Sequence, residues 1–213
     1  PCVVPIRLGD VITEKKAEST RDQPDHREQP KRPFFLCLGT IEPRKNQRLL
    51  YECWRRLSRD FKEDCPDLVC IGSHHEMCTQ LIHEITHDPL TKTRFILLTN
   101  VGDGQLEWYY DHCIATIFPS LYEGWGLPVA ESLARGRLCL ASNATSIPEI
   151  SELPQMFDPQ DVLGLCNLVM RTTEDHEWRA AKEEKIRTQF KPTSWAETAQ
   201  QILSAAQKLS STG

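Results

Sequence analysis

The stretch CIATIFPSLYEGWGLPVAESLARG, residues 113–136, decides how this chain folds. CIATIF is an unbroken apolar run of strand length, and the residues from Pro119 to Leu127 read as a loop with two glycines. Pro128 suits the first position of a helix, and Gly136 suits the position just beyond its end. Strand, loop and helix in direct succession make half of a βαβ unit. Glu123 then lies in the loop and Glu131 about one turn into the helix. Were the whole stretch helical, eight steps of about 100° would leave the two carboxylates roughly 80° apart, a poor shared face.

The same pattern extends outward. FFLCL (34–38), DLVCI (67–71), RFILL (94–98) and RLCLA (137–141) are further short apolar runs, with helical patterns between them. Continuous rather than alternating apolar strands imply burial on both faces. The expected fold is α/β: a Rossmann-like parallel sheet of about six strands with helices on both faces and a helical tail. Asp158-Pro159 reads as the start of a helix, and residues 174–209 as two more, broken at Pro192-Thr193-Ser194. Residues 13–33 contain no Val, Ile, Leu or aromatic side chain and are dense in charge and proline. They are expected to form an exposed, mobile loop, so that 1–33 is a linker region and 34–209 the folded domain. Before that loop, VVPIRLGDVI reads as the end of a linker or an edge strand.

Composition narrows the function. With 39% hydrophobic and 26% charged residues the chain is globular, and its net charge of -5 and pI near 5.8 offer no footprint for nucleic acid. No apolar run approaches the ~20 residues of a membrane span. Cys37, Cys70, Cys113 and Cys139 lie inside apolar runs and read as small buried hydrophobes, which points to a reduced, cytoplasmic protein. Association with the inner face of a membrane is compatible with this composition. The chain begins at Pro1 and reads as a piece of a longer protein.

In an open parallel sheet, ligands collect beyond the carboxyl ends of the strands. Here those ends read Gly39-Thr40 followed by EPRKN, Gly72-Ser73, Thr99-Asn100, Pro119-Ser120 followed by YEGWG, and Ser142-Asn143. Turns favour such residues, but five small polar ends together, two with charge clusters, mark one edge as a site. Gly124 and Gly126 let the backbone approach a ligand, and the amides around Trp125 to Val129 face the positive end of a helix dipole. Arg44 and Lys45 precede another helix, where cations oppose the dipole and call for an anion. Phosphate in the middle with hydroxyls for the carboxylates at both ends describes a nucleotide sugar. A surface ion pair of Glu42 with Arg44 or Lys45 is the plainer alternative for this cluster.

GTIEPRKN and EGWGLPVAESLARG, in this order and on these elements, resemble the C-terminal, donor-binding half of GT-B retaining glycosyltransferases of the group 1 family (family 4). SNATSIPEI and SWAETAQQIL support the likeness. The resemblance implies transfer of a sugar from a nucleoside diphosphate sugar to a hydroxyl acceptor with retention. It assigns Lys45 and Arg44 to the diphosphate, Glu123 to the hydroxyls of the transferred sugar, and Glu131 to the ribose. Gly124, Trp125, Gly126 and Leu127 would line sugar and phosphate, and Asn100 and Val101 would face the base. Thr40 stands where many members carry an arginine, which shifts that diphosphate contact to Arg44. The family look of the first motif favours GDP-mannose narrowly over UDP-sugars, with no separate cofactor and no metal. The acceptor would be a glycan or lipid-linked glycan held mostly by an N-terminal domain absent from this chain. A module that binds nucleotide sugar without transferring it is the alternative on the same fold.

HEITH, residues 83–87, matches the H-E-x-x-H zinc pattern and suggests a hydrolase instead. The apolar stripe of Met77, Leu81, Ile82 and Ile85 turns His83, Glu84 and His87 outward, and Asp88-Pro89 stops the helix at once. A solvated helix face is the expected reading.

Overall fold

The computed structural model describes residues 6, 8, 9, 23–25 and 28–210. Six strands, β1 (Phe34–Leu38), β2 (Asp67–Ile71), β3 (Phe95–Leu98), β4 (Ala115–Phe118), β5 (Cys139–Ser142) and β6 (Gln155–Phe157), form one sheet in the order β3-β2-β1-β4-β5-β6. Every pairing is parallel. The helices are α1 (Gln47–Phe61), α2 (Thr79–His87), α3 (Asp103–His112), α4 (Leu127–Ala134), α5 (Ile147–Ile150), α6 (Val162–Glu174), α7 (His176–Gln189) and α8 (Trp195–Ser210).

The continuous apolar strands follow from burial on both sides. Phe35 and Cys37 of β1 join a large cluster with Leu50, Trp54 and Leu57 of α1, while Phe34 and Leu36 point the other way, onto Tyr109 and Tyr110 of α3. Trp54 anchors the first cluster, its ring edge-on to Phe35 with centroids 5.7 Å apart and its indole N–H donating to the Pro66 carbonyl at 2.9 Å. Truncating such a residue to alanine typically costs about 3–5 kcal/mol. The eight cysteines among the described residues are all free and buried, as Cys37, Cys70, Cys113 and Cys139 were expected to be.

Four readings need correction. The helix expected at Asp158-Pro159 starts later: Asp158 instead folds a turn by accepting from Gln160 N at 2.8 Å, and Asp161 caps α6 through Gly164 N at 2.8 Å. Helix α4 begins at Leu127, one residue before Pro128, because Gly126 takes the left-handed conformation at its N-cap. Met77 belongs to no apolar stripe, being 75% exposed in the turn that precedes α2. The sixth strand, β6, comes from QMF, too short and too polar to stand out as an apolar run.

Most of residues 1–27 lie outside the described residues, as do most of the expected mobile loop and most of the VVPIRLGDVI segment. The described end of the loop is held down: Lys31 N and Arg32 N donate to the buried Asp67 carboxylate at 3.0 and 3.2 Å, and Tyr109 Oη donates to the Glu28 carbonyl at 3.0 Å. Its polar composition anchors it by hydrogen bonds rather than by core burial.

The order of strands positions the site. Chain succession runs from β1 outward to β3 and then returns to the other side of β1 as β4. The crossovers from β1 and β4 therefore diverge, leaving a crevice between their carboxyl ends.

Candidate donor site at the switch point

Both charged segments meet in that crevice. After β1 the chain turns at Gly39 and forms a short 3-10 turn, Pro43–Lys45, which delivers Arg44 and Lys45 just before α1. After β4 it forms the loop that carries Glu123. Lys45 Nζ donates to Glu123 Oε1 at 2.5 Å and Arg44 Nη1 donates to Oε2 at 3.0 Å. Ser120 Oγ also donates to Oε1, at 2.7 Å. Arg44 is shared with Glu42, at 2.8 Å, so the plainer surface pair exists beside the crevice contact. Backbone ties fix the two segments: Leu121 N donates to the Arg44 carbonyl at 2.8 Å, and Asn46 Nδ2 to the Pro119 carbonyl at 3.1 Å.

Glu123 and Lys45 are mostly buried, with side chains 10% and 13% exposed, whereas Arg44 is 47% exposed. Burial pushes the Glu123 carboxyl up, but hydrogen bonds from Lys45 and Ser120 and the charges of Lys45 and Arg44 outweigh it, holding the group below the usual glutamate range. Glu123 is thus ionised at neutral pH and occupied by two cations.

The backbone of Glu123 is held equally firmly. Its N–H donates to Thr145 Oγ1 at 3.0 Å, and its carbonyl accepts from Ser146 Oγ at 2.9 Å. Thr145 does this from a left-handed conformation, φ 49°, which a β-branched residue adopts only when its surroundings impose it. Asn46 and Asn100, at φ 57° and 58°, repeat the conformation at two other loops on the same edge.

Between the two glutamates, Gly126 has φ 96°, and a β-carbon there would lie 2.9 Å from Ile150 Cδ1. A β-carbon on Gly124 would meet nothing within 4 Å, so packing inside the chain does not explain that glycine. Trp125 packs against the main core, its indole N–H buried without a partner among the described residues. Leu127 opens α4.

Glu131 occupies a different setting. It is 8% exposed, and the buried Tyr110 Oη donates to its Oε2 at 3.3 Å. Arg135 stacks over the Tyr110 ring at 4.2 Å and pairs with Glu107 at 2.5 Å. Burial and the neighbouring Glu131 charge raise the Tyr110 hydroxyl far above its ordinary range, so it stays a donor. The structure therefore gathers Arg44, Lys45 and Glu123 into one contact group and sets Glu131 apart with Tyr110. Thr40 Oγ1 faces Ser73 Oγ at 3.2 Å, Asn100 is exposed at the end of β3, and Val101 packs on the second core cluster.

Sequence reading gave no role to Ser120, Thr145, Ser146 or Tyr110. Ser120 stands at a strand end already singled out as polar, and Thr145 and Ser146 lie in the SNATSIPEI segment that supports the likeness. Tyr110 gave no signal, because a buried tyrosine on a helix reads as core.

The HEITH residues do not converge on a metal. Glu84 is bound by both guanidinium nitrogens of Arg48, and the His83 and His87 rings stack on one another at 4.0 Å. Among the described residues no cluster of three or more His, Cys, Asp or Glu is placed to hold a metal ion.

A six-stranded parallel sheet of this order, with cations and an acid facing across its switch point, defines a Rossmann-like domain of GT-B type. The chain belongs to the glycosyl transferases group 1 family, whose model matches residues 18–189. It is 30% identical over 167 residues to the serotype-specific mannosyltransferase WbdA of Escherichia coli, covering 78% of this chain and 20% of that protein. It is 29% identical over 175 residues to O-antigen chain mannosyltransferase B of Escherichia coli, covering 81% and 45%. The chain thus spans less than half the length of these relatives. In fold it is similar to the UDP-forming α,α-trehalose-phosphate synthase of Burkholderia xenovorans, with TM-score 0.71 and 12% identity over 83% of this chain and 44% of that one.

Proposed function

We propose that this chain is the donor-binding half of a retaining glycosyltransferase that moves a sugar from a nucleoside diphosphate sugar to a hydroxyl of a glycan or lipid-linked glycan. The observation that carries this reading is the facing of Arg44 and Lys45 with Glu123 at the switch point. Cations suit the diphosphate, and a carboxylate suits sugar hydroxyls. Glu131, with its hydrogen-bonding tyrosine, takes the ribose, and Asn100 and Val101 border the base.

The chemistry asked of these residues is electrostatic. When the bond from sugar to diphosphate breaks, negative charge grows on the departing oxygen, and Lys45, Arg44 and the amino end of α4 are placed to stabilise it. No resident metal is proposed, since these cations can take the diphosphate charge themselves. Loss of activity with a chelator, restored by manganese, would overturn that part.

Names of relatives support a mannosyl donor and a growing glycan chain as acceptor. GDP-mannose is our preferred donor, ahead of UDP-sugars. The further length of those relatives supports a second domain that binds the acceptor, acting in the cytoplasm and in contact with a membrane surface when the acceptor is lipid-linked. No described helix is long and apolar enough to cross a membrane.

A thermal-shift panel of nucleoside diphosphates and their sugars on the full chain tests the reading, because a ligand that binds only the folded state raises its melting point. Stabilisation by GDP-mannose above all others is expected. No shift with any member of the panel would sink the proposal.

A further inference from the structure

Resting on the donor-site reading, we infer that Glu123 makes the site distinguish an intact nucleotide sugar from the spent nucleoside diphosphate. Without ligand, the carboxylate already does what a phosphate would do. One oxygen takes Lys45 Nζ at 2.5 Å and the other takes Arg44 Nη1 at 3.0 Å. A diphosphate arriving alone must draw both cations away from Glu123. Ser120 still bonds the abandoned carboxylate, and Thr145 and Ser146 fix the backbone that carries it, so it stays in a mostly buried position.

The consequence differs for the two ligands. An uncompensated charge in such a position is costly, and a bare nucleoside diphosphate brings no donor to relieve it. A nucleotide sugar brings hydroxyls, which donate to carboxylates and replace the lost cations. Diphosphate binding at Lys45 and sugar binding at Glu123 are therefore positively coupled, each favouring the other. After transfer the sugar is gone, Glu123 recovers Lys45 and Arg44, and the diphosphate is expelled. The ion pair is a competitor built into the site. Its strength sets how far the donor outcompetes the product.

The test reverses the ordinary sign of a binding-site mutation. Glu123→Gln keeps the size and the hydrogen-bonding ability of the side chain but removes the charge. On the full chain, calorimetric titration with GDP, UDP and inorganic pyrophosphate should show tighter binding in Glu123→Gln. A gain of about tenfold is expected, within the usual range of coupling between two sites. Titration with GDP-mannose and UDP-glucose should show no gain or a loss. In a Lys45→Met background the gain for the diphosphates should shrink severalfold, because the principal cation is no longer there to be released. That double variant also separates the effect from any loosening of the loop, which would not depend on Lys45. If Glu123→Gln binds GDP, UDP and pyrophosphate no better than the parent while GDP-mannose still binds the parent, the inference fails and the donor site stands. If none of the five ligands binds the parent, both fall.

Discussion

The two glutamates of EGWGLPVAE, Glu123 and Glu131, are the same residue type eight positions apart, yet the fold treats them in opposite ways. Glu123 sits in an irregular loop, neutralised by two cations and braced by a threonine in a left-handed conformation. Glu131 sits in a regular helix, buried on a neutral tyrosine hydroxyl. A carboxylate with cationic partners gives up those partners to bind a ligand, so its net contribution depends on what the ligand returns. A carboxylate buried on a regular helix and bonded by a tyrosine hydroxyl is positioned in advance. The first arrangement suits discrimination and the second suits affinity.

The largest effect should therefore come from Glu131. Removing a carboxylate that hydrogen-bonds a ligand in a desolvated site typically costs about 1.5–3 kcal/mol, roughly tenfold to hundredfold. Glu131→Ala should weaken nucleoside diphosphate and nucleotide sugar by the upper end of that range, while Glu123→Ala weakens only the sugar form. Calorimetry of both variants with both ligands decides it. Equal losses on the plain diphosphate would break the contrast.

Next in size is the tyrosine. Tyr110→Phe keeps the packing against Phe34, Leu36 and Val69 but deletes the donor to Glu131. About 1 kcal/mol, severalfold in affinity, is expected for ligands that carry a ribose. Inorganic pyrophosphate should bind as before. A loss that extends to pyrophosphate would assign Tyr110 to general stability rather than to Glu131.

These two predictions mark what the sequence made legible. Five of the six strands stood out because burial on both faces demands unbroken apolar runs, and the site edge stood out because strand ends collected Gly, Ser, Thr and Asn together. The pairing of Glu123 with Lys45 did not, since it joins residues 78 apart that meet only once β4 lies beside β1. Strand order is set by packing between elements, which leaves no local trace. The same holds for Tyr110 and Glu131. Strand β6 and the true cap of α6 were missed for the opposite reason: a three-residue strand is too short to pattern, and Asp158 and Asp161 compete for one role that only backbone geometry assigns.

A smaller effect follows from charge. The Glu123 carboxyl titrates below its unfolded value, so its contribution to stability is complete above the ordinary glutamate range and is lost as pH falls through the lower, folded value. Melting temperature of the parent should fall on acidification through that window, and Glu123→Gln should show a shallower fall. Glu123 is one of 30 acidic residues, so the difference is expected to be a modest part of the whole acid limb. Superimposable pH curves would mean that the ion pair contributes nothing net.

The smallest effect tests the brace. Thr145 donates to the Glu123 carbonyl and accepts from its N–H, both through the hydroxyl, so the methyl group takes no part in holding the loop. That methyl adds to the strain that any β-carbon meets at φ 49°, because branching at the β-carbon crowds the left-handed conformation further. Thr145→Ser keeps both hydrogen bonds and removes the part of the crowding that branching adds, at the cost of a somewhat freer unfolded chain. Strain at such a position is about 1 kcal/mol or more, of which serine relieves only part. A rise of about 1–2 °C in melting temperature is expected for a domain of this size, with affinity for GDP-mannose unchanged. No comparable gain should come from Glu131's side of the site, where α4 is regular. A lower melting temperature for Thr145→Ser would mean that the methyl contributes packing worth more than the strain, and that the loop around Glu123 is held without cost.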